Sequence, residues 1–190
     1  MLQGAKTERD AIERHRSKLQ VSLGLISASA TWYPAKTARG EAWVMSTSPE
    51  SVELRTVRGS LLYLTAAQNF VVQHHHRLEL TAGLISGYKC HFTGYAYSIG
   101  LSQDPADVLL EWHWHPPDLR YTHAHVHVRD ETLGEVGKLH LPTSRVYFEQ
   151  VVGFLIVGLE IEHTRGDWRD VLAAIRRDVD AASTWTGDRP

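Results

Sequence analysis

Two short runs decide the reading of this chain: Val108-Leu109-Leu110-Glu111-Trp112-His113-Trp114-His115 and Tyr121-Thr122-His123-Ala124-His125-Val126-His127-Val128. Both alternate polar with apolar residues, the period of a strand buried on one side only. Between them stands Pro116-Pro117-Asp118-Leu119-Arg120, which is turn chemistry. The expected product is a β-hairpin with Trp112, Trp114, Val126 and Val128 on one face. If His115 pairs with His123, then His113 meets His125 and Glu111 meets His127 on the other. Directly opposed residues sit about 4.5–5.5 Å apart at Cβ, so five imidazoles and a carboxylate form one patch. A slip of one residue would put the tryptophans in water, and their burial pins the register.

Outward from the hairpin, residues 82–128 are rich in tyrosine, tryptophan, valine and isoleucine and are broken by Gly83, Gly87, Gly94 and Gly100. That pattern predicts an antiparallel meander. Gly137 to Leu141 adds a short third strand beside the hairpin. Near the N-terminus, Thr7-Glu8-Arg9-Asp10 reads as a capping box, and Ile12, Leu19, Leu23 and Ile26 recur at helical spacing. A helix over about 8–27 follows, then a loop or irregular strand over 30–47. Ser48-Pro49 reads as a second helix start, with Val52, Thr56, Gly59, Tyr63, Ala66 and Phe70 along one face. Downstream, Thr143 or Ser144 opens a helix bearing Val151, Val152, Leu155, Ile156 and Leu159. Asp167 caps a last helix whose stripe is Trp168, Val171, Leu172, Ile175 and Val179. The expected fold is a single α+β domain. Its antiparallel meander, about 82–141, packs against a helical N-terminal part, about 1–80, and C-terminal helices, about 144–183.

Bulk properties fit that picture. A chain of 190 residues, 43% hydrophobic and 22% charged, can bury a core without staples. Cys90 is the only cysteine, so no disulfide forms within the chain. With no secretory leader visible and no apolar run near the ~18 residues of a membrane helix, the expectation is a cytoplasmic protein without a membrane partner. A net charge of −2 with scattered lysines and arginines lacks the footprint of a general polyanion binder. The anomaly is twelve histidines, about three times ordinary usage.

Three chemistries can use the histidine face. A divalent metal such as zinc could take imidazoles from His113, His115, His123 and His125, because a His-x-His strand beside another suits tetrahedral binding. Alternatively no cofactor is needed, and His113, His125 and His127 serve as general acid and base with Glu111 orienting them. Arg120 or Arg145 would then hold a phosphate. The third use is binding alone, with Tyr95, Tyr97 and Tyr121 offering rings for base stacking. His74-His75-His76 reads as surface, since consecutive side chains diverge, and Cys90 reads as core.

Two resemblances bear on function. His123-Ala124-His125-Val126-His127-Val128 is similar to the histidine-triad nucleotide hydrolase motif but departs from it at Arg129, and the remaining chain does not look like that fold. The second is broader. Tyr95-x-Tyr97, the strand ending Glu111-Trp112-His113-Trp114-His115-Pro116, and the histidine strand at His123 resemble the TumE family over 95–128, continuing faintly to Trp168. The chain lacks that family's Asp-Asn pair on the first strand and has additional N-terminal helices. The resemblance implies the toxin of a toxin–antitoxin pair, plausibly a ribonuclease acting on RNA and neutralised by a cognate antitoxin. The competing expectation is a non-catalytic interaction module whose histidine face holds a metal or a protein partner.

Overall fold

The structure is a computed structural model and describes residues 2–47, 51–80, 83–115, 123–128 and 140–181. One nine-stranded sheet carries the chain. Strand β1 is Leu2–Gln3 and helix α1 is Glu8–Gly24. Strands β2 (Tyr33–Lys36), β3 (Trp43–Ser46) and β4 (Val52–Arg55) follow. The two long strands are β5 (Leu61–Leu80) and β6 (Gly83–Gly100). A short 3-10 turn at Pro105–Asp107 leads into β7 (Val108–Trp114). Then come β8 (His125–Val128), β9 (His140–Pro142), α2 (Phe148–Gly158) and α3 (Trp168–Ala181). The sheet order is β2-β3-β5-β6-β7-β8-β9, antiparallel throughout. β4 pairs with β5, and β1 adds to β6 in parallel. The α+β class and the packing of a meander against N- and C-terminal helices are as expected.

The helices cover one face of the sheet. Leu62, Leu64, Ala66 and Phe70 of β5 alternate into the core with Tyr95, Tyr97 and Ile99 of β6 and with Trp112 and Trp114 of β7. Ile12, Leu19 and Leu23 of α1 meet them, as do Phe148, Val151, Val152 and Leu155 of α2. Leu23 alone, fully buried, contributes roughly 1.5–3 kcal/mol by leaving water. Helix α1 starts where the capping box places it, with the Thr7 hydroxyl accepting the Asp10 N–H at 3.1 Å.

Three expectations need correction. The helix read from Ser48 to Phe70 does not form in the described part of that range, which holds β4 and β5. Gly59, at φ +85°, turns the chain between them, and Tyr63 and Thr65 lie between buried Leu62, Leu64 and Ala66 with the period of a strand. The meander therefore begins well before residue 82, and residues 33–36 and 43–46 are regular strands. The helix read from Thr143 starts at Phe148 instead. The Thr143 N–H donates to Ala124 O at 2.8 Å and the Val146 N–H to the Tyr95 hydroxyl at 2.8 Å, so 143–146 stays extended. Gln150 Oε1 then accepts the Tyr147 N–H at 2.9 Å and closes the first turn.

Candidate metal centre on the β7–β8 hairpin

The hairpin has the register its alternation predicts. Glu111 pairs with His127, Trp112 with Val126 and His113 with His125. Trp112 and Trp114 are buried on the helix side, and so the histidines face the opposite side of the sheet. The β8–β9 ladder sets His140 opposite His127, in agreement with a third strand there. The backbone partner of His115 is not part of the β7–β8 ladder, which ends at the His113–His125 pair.

Three imidazoles converge. One ligand nitrogen from each of His113, His125 and His127 lies within 4.8 Å of the other two. Their Nε2 atoms are buried, and His125 as a whole is only 3% exposed. The ring centroids of His113 and His127 are 5.1 Å apart, and those of His125 and His127 are 4.9 Å apart. His125 Nδ1 lies 3.0 Å from the carbonyl oxygen of His123. A carbonyl can only accept, so Nδ1 carries the proton and Nε2 keeps its lone pair. That is the outer hydrogen bond that fixes the tautomer of a metal-binding histidine. Glu111 Oε1 stands 2.7 Å from His113 Nε2, giving the cluster a carboxylate at its edge.

The donor set fits a divalent ion that favours nitrogen, zinc foremost. Bonds of ~2.0–2.1 Å require nitrogens roughly 3.3 Å apart in a tetrahedral site, against the 4.8 Å within which the three lie here. Three protein ligands leave one position for water or substrate. The ligand set differs from the one read in the sequence: His127 takes a place expected for His115 or His123. The His115 ring stays close, 5.4 Å from His125 and 5.9 Å from His113, but outside the converging trio. His123 is exposed, and its backbone carbonyl links it to the cluster.

Other expected participants are elsewhere. Tyr97 is 1% exposed on the helix side, where its hydroxyl accepts from Gln68 Nε2 at 2.6 Å. Tyr95 stacks on Tyr97 at 4.8 Å and accepts the Val146 N–H, so neither ring is open to a base. Arg145 lies with its guanidinium carbon 3.6 Å from the centroid of the Trp114 ring, also on the helix side. Strand pairing explains the tyrosines, since Tyr95 and Tyr97 stand opposite Trp114 and Trp112 and share their face, whereas Arg145 lies in the extended segment before α2. Arg120 and Tyr121 lie outside the described residues. Burial pushes the Cys90 thiol up to about 12, which removes it as a nucleophile and agrees with its reading as core.

The sequence reading missed a polar assembly on the helix face. His15 Nε2 lies 2.9 Å from Gln68 Oε1, and Gln68 passes the chain on to Tyr97. The His triplet of β5 is surface at His74 and His76, whereas His75 Nε2 meets His91 Nε2 at 2.7 Å. The signal for the first was present. Gln68 occupies an inward position in the run Leu62, Leu64, Ala66, Gln68, Phe70, and a buried amide demands partners. No helix of the described residues is long and apolar enough to cross a membrane. No protein-family model, curated protein or solved structure matches the chain.

Proposed function

We propose that the chain is a metal-dependent phosphodiester hydrolase acting on RNA, the toxin of a toxin–antitoxin pair. The convergence of three buried imidazole nitrogens within 4.8 Å, beside the Glu111 carboxylate, is the observation that carries the reading. A divalent ion at such a site supplies Lewis acidity and a water acidified toward neutral pH. His113, His125 and His127 hold it as neutral ligands, and the His123 carbonyl orients His125. Glu111 accepts the proton that His113 Nε2 must give up when that nitrogen becomes a ligand. Once that proton had passed to solvent, the same carboxylate could take one proton from the attacking water and return it to the leaving oxygen. RNA as substrate, and a cognate antitoxin as partner, follow from the resemblance to the TumE family.

The test combines purified protein with growth. Wild-type protein is expected to cleave RNA after zinc or manganese loading and to stop doing so in chelator. His125→Ala and Glu111→Gln should each lower the rate about 100-fold or more. Expression should slow host growth, and His125→Ala should relieve it. A wild type that neither cleaves RNA nor slows growth would refute the enzyme. A second reading rests on the ligands coming from two adjacent strands, so that a metal would staple β7 to β8 in a non-catalytic interaction module. Unfolding on metal removal favours that module; retained fold with lost cleavage favours the enzyme.

A further inference from the structure

A cavity of about 310 Å³ lies on the helix side of the sheet, between α1, the start of β6, the start of α2 and α3. That volume is at the lower end of small-molecule sites. Its walls are largely apolar and aromatic: Leu19 of α1, Phe92 of β6, Tyr147 beside α2, and Ile175 and Val179 of α3. Phe92 is 38% exposed, which leaves ring surface for a flat ligand to cover. The cations nearby do not make it an anion site. Lys18 stands 3.6 Å from Asp178, and the Arg145 guanidinium lies over the Trp114 ring. Lys89 alternates with Cys90 along β6 and so points to the other face of the sheet.

His15 and Glu149 line the cavity as well, and both offer acceptors. The His15 ring packs edge-on against Phe92 at 4.9 Å. Gln68 gives an amide N–H to Tyr97, so its Oε1 accepts from His15 Nε2, and His15 Nδ1 is left as an acceptor. Burial holds this imidazole down to about 4, so it remains neutral. Glu149 is only 6% exposed, and its Oε1 has no hydrogen-bond partner among the described residues. Arg176 Nη1 stands 3.7 Å from that oxygen, too far to donate to it. A buried acceptor left open is costly, and a donor carried in by a ligand would close it.

We propose that this cavity binds a small, neutral, planar aromatic compound bearing N–H donors, its ring against Phe92 and Tyr147 and its donors toward Glu149 Oε1 and His15 Nδ1. Charge selects a neutral ligand. A carboxylate or phosphate would meet the buried Glu149 carboxyl, and an ammonium would be repelled by Arg14 and Arg176. A neutral N–H closes the open acceptor and meets neither opposition. The proposal is independent of the metal-centre reading, because strand alternation puts the cavity and the three imidazoles on opposite faces of the sheet.

Calorimetric titration of the full chain tests it, with indole in one arm and adenine in the other. Each is paired with an analogue that lacks the donors, benzofuran for indole and N6,N6,9-trimethyladenine for adenine. At least one parent is expected to bind, about tenfold more tightly than its own analogue, the loss of one hydrogen bond to a buried acceptor. Which parent binds identifies the ring, indole-like or purine. Glu149→Leu should erase most of the preference for the parent. Val179→Phe should fill the cavity and abolish binding. Val179 is half-buried on α3, so the larger side chain leaves the fold intact and keeps the test decisive if Glu149→Leu is unstable. His125→Ala should bind as the wild type does. Absence of binding in both arms at millimolar concentration, equal binding of parent and analogue, or binding indifferent to Val179→Phe would overturn the proposal.

Discussion

His15 is the residue on which the helix face turns. Its ring is set between Phe70 at 5.3 Å and Phe92 at 4.9 Å, and its Nε2 meets Gln68 Oε1 at 2.9 Å. Burial is the largest influence on it and disfavours the imidazolium, lowering its pKa to about 4 from an ordinary 6.5. The unfolded chain therefore takes up a proton at His15 below about 6.5, whereas the folded chain does so only near 4. Stability is full above that window and falls as pH drops through it. The shift corresponds to about 3 kcal/mol at most, less because the side chain is only half-buried. Burial lowers His75 and His91 too, so they add to the loss in the same direction. Urea denaturation at pH 7 and pH 5 should show a marked fall for the wild type and a shallower one for His15→Gln. An equal fall in both would mean that His15 is not the proton-linked group. In the sequence the stripe of this helix is Ile12, Leu19, Leu23 and Ile26, and the legible signal for a buried partner is the inward amide of Gln68 rather than His15 itself. Its burial arises from a sheet partner, Gln68, that lies 53 positions away.

At the scale of elements, the legible features were those whose pattern and packing agree. The β7–β8 register followed from alternation, because a shift of one residue would expose Trp112 and Trp114. Helix α1 followed from its cap and stripe. The segment after Pro49 is ambiguous in sequence because alternating Leu62, Leu64, Ala66 and Phe70 also contains subsets at helical spacing, and Gly59, which turns the chain, falls on the same apparent helix face. The candidate cluster is legible only as a face: strand period places the histidines on one side, but which of the imidazoles converge depends on ring orientation. Strand β1 was not foreseen at all, and its docking depends on two glycines. A Cβ at Gly87, where φ is +122°, would come within 2.7 Å of Ala5 O, and one at Gly4 within 2.6 Å of Ser86 O. Gly87→Ala should cost about 1–3 kcal/mol and free residues 2–5 for hydrogen exchange and proteolysis. Gly24→Ala is the contrasting case. It sits at the end of α1 with nothing within 4 Å of the added carbon, and replacing helical glycine should stabilise by up to about 1 kcal/mol. Denaturant midpoints that move in the same direction for both variants would contradict this account.

The whole molecule uses its sheet as a partition. One face carries the helices, the core and a cavity; the other carries the converging imidazoles, with β7 contributing Trp114 to the first and His113 to the second. A ligand that binds only the folded chain stabilises it by mass action, about 2.7 kcal/mol at one hundred times its dissociation constant. Zinc should therefore raise the melting temperature of the wild type and leave that of His125→Ala unmoved. Imidazoles must be neutral to act as ligands, so the zinc effect should shrink in acid. An aromatic N–H ligand in the cavity should give its own increment, sensitive to Val179→Phe and indifferent to His125→Ala. The sites share no side chain, and β7 is held between β6 and β8 by ladders on both edges, which opposes any shift that could pass from one face to the other. The two increments are expected to add to within about 0.5 kcal/mol when both ligands are present. A larger departure would show that Trp114 and His113 move together along β7, making the cavity an effector site for the metal centre rather than a separate one.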